Sequence, residues 1–268
     1  MVGGACRVKL GSPKRAKGSH DFDELVMSDD VVETRILGGR LLIRQPSEGY
    51  RVNADTLLLA AAVETPGRLL EAGTGVGAVA LAVTQRSPET QVLGIERAAR
   101  MAALARENIA ANGMSARVSV LQSDALNLDD GLGTFDGVFF NPPFNDAEEG
   151  RAPTEARRPA RVAEAPMSAW IGALANRLKG GAALTLIYRA ERLGEILAAL
   201  EGRVGGPEVF PIRPRAEAPA KRVIVRARKG SRAPLRLLRG LDLHDDGGAK
   251  HTPEAEAILR GDALISWT

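Results

Sequence analysis

The run Glu71-Ala72-Gly73-Thr74-Gly75-Val76-Gly77 constrains the fold more than any other stretch of this chain. It follows a short apolar strand candidate, Arg68–Glu71, and precedes an Ala-rich helical stretch, residues 78–86. Such a turn favours glycine, which enters the left-handed backbone region without a Cβ clash and lets other groups approach closely. The same rhythm continues with strand Gln91–Glu96, helix Arg97–Ala111 stopped by Asn112-Gly113, and strands Arg117–Gln122 and Phe135–Phe140. Helix 167–178 stopped by Gly180-Gly181, strand 182–188 and helix 190–200 follow. Val209–Ile212 and Val223–Arg228 are the last strand candidates. Repeated strand–helix units imply an α/β fold, a mostly parallel sheet covered by helices on both faces. The last strand follows a loop rather than a helix, so it is expected to run antiparallel.

Upstream, Thr34–Leu37 and Arg40–Arg44 flank Gly38-Gly39, which reads as a two-residue hairpin turn. Asn53 or Asp55 is placed to cap a short apolar helix over Thr56–Val63. The expected organisation is a flexible leader over 1–30, basic and then acidic, and a single domain over 31–268. Within that domain, 31–65 form a hairpin and helix, and 66–268 the core.

With 44% hydrophobic and 26% charged residues, the chain can bury a core and is not disordered as a whole. Cys6 is its one cysteine, which excludes an internal disulfide and fits a reducing cytoplasm. Apolar runs fall short of the roughly 20 residues that span a bilayer, and the N-terminus lacks a signal-peptide core. His20, His244 and His251 have no ligand-spaced partners, so no metal is expected. Trp170 falls on the apolar face of its helix and reads as core, and Trp267 carries no reading. Charge is unevenly placed. Residues 1–20 hold five cations and no carboxylate, and residues 203–240 hold eleven Lys or Arg against Glu208 and Glu217, which suggests a polyanionic partner.

In an open parallel sheet, ligands bind beyond the carboxyl ends of the strands, where strand order switches. Gly73-Thr74-Gly75-Val76-Gly77-Ala78 also satisfies the pattern of dinucleotide binders. Acids at three successive strand ends narrow the reading: Glu71 at the first, Glu96 at the second, Asp124 after the third. A carboxylate before the glycines repels a pyrophosphate but holds an ammonium group. That favours a nucleoside carrying methionine over a nicotinamide cofactor, and with it a methyl transfer over a dehydrogenase.

Asn141-Pro142-Pro143-Phe144, at the end of the fourth strand, carries the chemistry. A conjugated NH₂ is a poor nucleophile because its lone pair is delocalised. Two hydrogen-bond acceptors, the Asn141 side-chain oxygen and the Pro142 carbonyl, pull it towards a tetrahedral shape. A proline pair fixes φ and brings no competing N–H. Phe144 can stack on a flat substrate, a contact typically worth about 1–3 kcal/mol.

These residues resemble the motifs of class I, Rossmann-like methyltransferases, with Glu71–Gly77 as the first motif and Glu96 as the second. The resemblance implies a seven-stranded sheet and S-adenosylmethionine as cofactor, with Glu71 facing its methionine end, Glu96 its ribose, Asp124 with Ala125 its adenine, and Arg97 also in the cofactor site. Gly73, Thr74, Gly75, Gly77 and Asn141 complete that set, and Tyr50, Arg51 and Asp55 lie in the segment that closes over the cofactor. The segments Gly49–Ala61, Asn141–Phe144 and Pro211–Val225 together are similar to the bacterial tRNA (adenine-N6)-methyltransferases, which modify an adenine beside the anticodon of a valine tRNA. Release-factor glutamine methyltransferases and guanine-N2 methyltransferases of rRNA share the chemistry and stand as alternatives. A tRNA partner is expected, with no membrane or metal, as a monomer or homodimer. The target base is expected to be unpaired or flipped out, with Arg151, Arg157, Arg158 and Arg161 at the rim of its pocket, and Arg213, Arg215, Lys221, Arg222, Arg226, Arg228, Lys229 and Arg232 following the phosphate backbone.

Overall fold

The computed structural model describes residues 24–28, 30–49, 51–142, 165–245, 247 and 249–268. Its first unit is an antiparallel sheet of β1 (Glu24–Ser28), β2 (Val31–Ile36) and β3 (Leu41–Pro46). β1 falls inside the stretch expected to be leader. Ile36 pairs with Leu41, so the connection is the four residues Leu37–Arg40 and not a two-residue turn. Leu37 has a φ of +52°, outside the extended region, so the ladder stops one residue early. Val32, Thr34 and Ile36 of β2 face inward with Leu41, Ile43 and Gln45 of β3. Gln45 donates to Thr34 Oγ1 at 2.8 Å and accepts from the Val52 amide at 2.7 Å, leading the chain towards α1 (Ala54–Ala62). Asn53 and Thr56 form a reciprocal capping box there, leaving Asp55 for another partner.

The main sheet begins with β4 (Arg68–Ala72), β5 (Gln91–Glu96), β6 (Val118–Gln122), β7 (Phe135–Phe140) and β8 (Leu178–Arg189), all mutually parallel. β9 (Gly205–Arg213) and β10 (Arg222–Arg228) complete the seven main strands, in the order β6-β5-β4-β7-β8-β10-β9. β10 runs antiparallel as expected, lying between β8 and β9. Two-residue strands β11 (Arg236–Leu237) and β12 (Leu241–Asp242) add to β9.

Helices α2 (Ala78–Gln85) and α3 (Ala99–Ala111) join α1 and the C-terminal α6 (Pro253–Leu259) over one core, while α4 (Met167–Ala175) and α5 (Leu193–Leu200) cover the other. Phe139 belongs to the first core and Phe140 to the second, as alternation along a strand requires. α4 ends three residues before the expected 178, and Gly180-Gly181 lies inside β8, where the Gly181 amide bonds Lys229 O. The expected helix 190–200 opens with a tighter 3₁₀ turn over Ala190–Arg192. α6, which has no counterpart among the expected elements, is capped by Thr252 with Pro253 in its first turn. It packs on α1, and the Ile265 amide bonds Ala61 O at 3.1 Å. Among the described residues no helix is long and apolar enough to cross a membrane.

Candidate active site

The chain builds β4, β5 and β6 outward and then returns to β7 on the other side of β4. Strand order therefore switches between β4 and β7, which opens a crevice at their carboxyl ends. Ala72 pairs with Phe140, so Gly73 and Asn141 leave neighbouring strand tips side by side. The two sequence features that carry most meaning meet here.

The glycine turn is held at nearly every peptide. Gly73 and Thr74 amides both donate to Ile95 O at 2.9 Å, the Gly77 amide donates to Thr74 O at 2.8 Å, and the Gly75 amide donates to Glu96 Oε2 at 2.9 Å. Gly73, Gly75 and Gly77 have φ of +73°, +57° and +83°, the conformation for which glycine is expected. Gly73 is exposed to the crevice, whereas Thr74 is buried.

Glu71 differs from expectation. It is 3% exposed, and Oε2 accepts from Thr74 Oγ1 at 2.5 Å and from the Ala80 amide at 3.1 Å. Ala80 is in the first turn of α2, whose N-cap is Gly77 with no side chain to offer, so Glu71 supplies the missing acceptor. Burial pushes its pKa up to about 8, against the opposing pull of these hydrogen bonds. The group is therefore neutral in most molecules at pH 7.

Glu96 is half-buried at the tip of β5 and also receives the Ala98 amide at 2.8 Å through Oε1. A carboxylate has about four acceptor sites, so two such bonds leave room for a ligand's hydroxyls. Asp124 closes the turn after β6, accepting from the Leu126 amide at 2.9 Å and Asn127 Nδ2 at 3.2 Å, beside buried Ala125. The Ser123 amide bonds Glu96 O at 3.1 Å, which sets this turn beside the β5 tip. Arg97 is exposed.

Asn141 Oδ1 is buried and has no hydrogen-bond partner among the described residues. An unmet buried acceptor costs about 1–3 kcal/mol, and at this strand tip a ligand's N–H could satisfy it. Pro142 is buried beside it. Pro143, Phe144, Tyr50, Arg151, Arg157, Arg158 and Arg161 lie outside the described residues.

Trp170, expected as plain core, is only partly buried. It stacks on Phe140 with centroids 5.8 Å apart and planes 6° from parallel, and brings its ring edge 3.9 Å from where a Gly73 Cβ would stand. One aromatic thus spans both strand tips. Helical spacing alone assigns it to the core and carries no sign of the second contact.

Arg51 is exposed and donates to Ser47 O at 3.1 Å, whereas Asp55 Oδ2 accepts from Arg222 Nε at 2.9 Å, joining α1 to the start of β10. Arg213 pairs with Asp242 at 2.5 Å. Arg226 is buried between Glu64 and Glu208 and lies 4.0 Å from the Trp267 ring centroid, and Arg228 also pairs with Glu64. Much of the cationic run is thus neutralised within the fold, while Arg215, Lys221, Arg232 and Arg239 are exposed. His244 and His251, scattered in sequence, stack with centroids 5.3 Å apart.

Residues 50–158 match the model of the methyltransferase small domain. The tRNA1(Val) (adenine(37)-N6)-methyltransferase of Porphyromonas gingivalis is 32% identical over 197 residues, covering 69% of this chain and 77% of that protein. A release factor glutamine methyltransferase of Rhodopirellula baltica is 34% identical over 119 residues, 40% of this chain and 39% of that protein. Among solved structures, a predicted O-methyltransferase from Agrobacterium tumefaciens superposes with a TM-score of 0.67 at 31% identity, covering 79% of this chain and 98% of that one. The strand order, the glycine turn and these relatives together make the chain a member of the class I methyltransferase family that includes the tRNA1(Val) (adenine(37)-N6)-methyltransferases.

Proposed function

We propose that this chain methylates the exocyclic amino nitrogen of an adenine in tRNA, using S-adenosylmethionine. The observation that carries the reading is Asn141 Oδ1, a buried acceptor without a partner among the described residues, one register step from the glycine turn. The crevice fits the cofactor: backbone is open at Gly73, Glu96 retains acceptor sites, and Asp124 and Ala125 flank it. When bound, that cofactor supplies a methyl group on a positively charged sulfur.

Asn141 Oδ1 takes one N–H of the acceptor amine, and the Pro142 carbonyl takes the other. With both N–H bonds held, the nitrogen lone pair would be free to point at a methyl group presented from the glycine-turn side, and the methyl would pass from sulfur to nitrogen. One proton then passes from the nitrogen to solvent. An amide oxygen cannot remove the proton that an alcohol must lose, yet it suffices for an amine, which loses its proton only after attack. This favours nitrogen over oxygen as acceptor, although the Agrobacterium relative is called a predicted O-methyltransferase. Catalysis is then mostly alignment, which can supply up to roughly 7–11 kcal/mol.

Glu71 holds the turn through Thr74 and Ala80, and an arriving ammonium group favours its ionised form. Arg215 and Lys221, exposed in the loop between β9 and β10, are candidates to meet phosphates, with the arginines between 151 and 161 as further candidates. The adenine assignment draws on the relative from Porphyromonas, which spans most of both chains. The test is to incubate the protein with labelled cofactor and total bacterial RNA, then identify the modified nucleoside by mass spectrometry. N6-methyladenosine in tRNA supports the reading, and label entering only a purified release factor replaces it with glutamine methylation. Asn141→Ala should abolish turnover while binding of S-adenosylhomocysteine survives.

A further inference from the structure

Two asparagines on α3, Asn108 and Asn112, stand four residues apart and so share one helix face. That face meets β3, which pairs with β2 on its other side. Asn112 Oδ1 accepts from the Leu42 amide at 3.0 Å, and its Nδ2 donates to Leu42 O at 2.7 Å. Asn108 repeats the exchange two residues on, accepting from the Arg44 amide at 2.8 Å and donating to Arg44 O at 2.9 Å. Alternate residues of a strand present their amide and carbonyl groups to the same side. The two carboxamides therefore act as a substitute strand, satisfying an edge that would otherwise be unpaired.

Asn108 does one thing more. It is fully buried, and its Nδ2 also donates to Val76 O at 2.9 Å, inside the glycine turn. A single side chain thus joins β3, α3 and the Val76–Gly77 peptide. Asn112 has no such reach, and its extra bond stays within α3 at Asn108 O. We infer that Asn108 is a positioning residue for the cofactor, coupling the docking of the N-terminal sheet to the conformation of the glycine turn. The inference rests on the proposed use of the glycine turn as the cofactor cradle.

Asn112 provides the control, since Asn112→Ala weakens sheet docking without touching the turn. Binding of S-adenosylhomocysteine is measured by calorimetry on the full chain, beside the melting temperature. Both Asn108→Ala and Asn112→Ala should lower the melting temperature. Only Asn108→Ala should weaken binding, on the order of tenfold, while Asn112→Ala leaves it within about twofold. Equal effects on binding, or none from Asn108→Ala, overturn the inference. Should Asn108→Ala not fold, amide exchange in the unaltered protein decides. S-adenosylhomocysteine should slow exchange of the Arg44 amide, held by Asn108, and leave the Leu42 amide, held by Asn112, unchanged. Equal response of the two amides overturns it. If the unaltered protein binds no S-adenosylhomocysteine, the cradle reading itself has failed, an outcome separate from the others.

Discussion

Thr74 Oγ1 donates to Glu71 Oε2 at 2.5 Å inside a core where neither residue is more than 3% exposed. This one bond ties the tip of β4 to the turn that follows, and a charge change at Glu71 acts on both.

Glu71 has its pKa raised from an ordinary 4.5 to about 8 by burial. The folded protein therefore binds a proton that the unfolded chain has lost between those values, and stability from this group declines as pH rises through that window. Below pH 4.5 the contribution is fully present, and above pH 8 it is gone. Glu71→Gln keeps an acceptor for Thr74 and Ala80 and cannot ionise. The melting temperature of the variant relative to the unaltered protein should climb between pH 5 and pH 9. A difference that is flat across that range contradicts the assignment.

Cofactor binding should carry a pH signature from the same group. An ammonium beside Glu71 favours its charged form, so binding at pH 7 should be accompanied by release of protons. Calorimetry in two buffers of different ionisation enthalpy measures their number directly. Zero release by the unaltered protein, or equal release by Glu71→Gln, places the ammonium elsewhere.

Gly94 lies in β5 opposite Glu71, and a Cβ added there meets Thr74 Cγ2 and Oγ1 at 2.8 Å. Gly94→Ala should cost about 1–3 kcal/mol, the usual penalty for overpacking. Thr74→Gly removes all three atoms in the way, including Thr74 Cβ at 2.9 Å, so the double variant should be more stable than the two single effects added together. Strict additivity in denaturant unfolding shows that the cost of Gly94→Ala does not arise at Thr74.

The strand–helix rhythm and the placing of Gly73 and Asn141 at strand ends were legible in the sequence because local chemistry encodes them, whereas their meeting follows from the pairing of β4 with β7. Positive φ demands glycine, and a proline pair after an apolar run ends a strand. What escaped depends on residues far apart along the chain. Arg222 finds Asp55 at a separation of 167 residues, and Arg226 finds Glu64 at 162, so a basic run looks freer in sequence than it is. Glu71 looks like an exposed anion because its burial comes from α2 folding back across it. The side of β3 that Asn108 and Asn112 satisfy is set by packing, and no local spacing marks it. α6 was more accessible: Thr252-Pro253-Glu254 is a helix-start signature in its own right.

Two tryptophans, Trp170 and Trp267, give the crevice a built-in reporter. Trp170 lies across Phe140 and Gly73, whereas Trp267 rests on Arg226 and Phe210 against the opposite core. S-adenosylhomocysteine should shift the emission of Trp267→Phe, which retains Trp170, and leave that of Trp170→Phe unchanged. The exchange to Phe keeps a ring on Phe140, where an aromatic pair is worth about 0.5–1.5 kcal/mol, so Trp170→Phe should still bind. Trp170→Ala loses the ring that spans both tips, and its turnover should fall further than its affinity for S-adenosylhomocysteine. Silent emission from Trp267→Phe, with binding intact by calorimetry, puts the ligand away from Gly73 and Asn141 and removes the basis for their partnership.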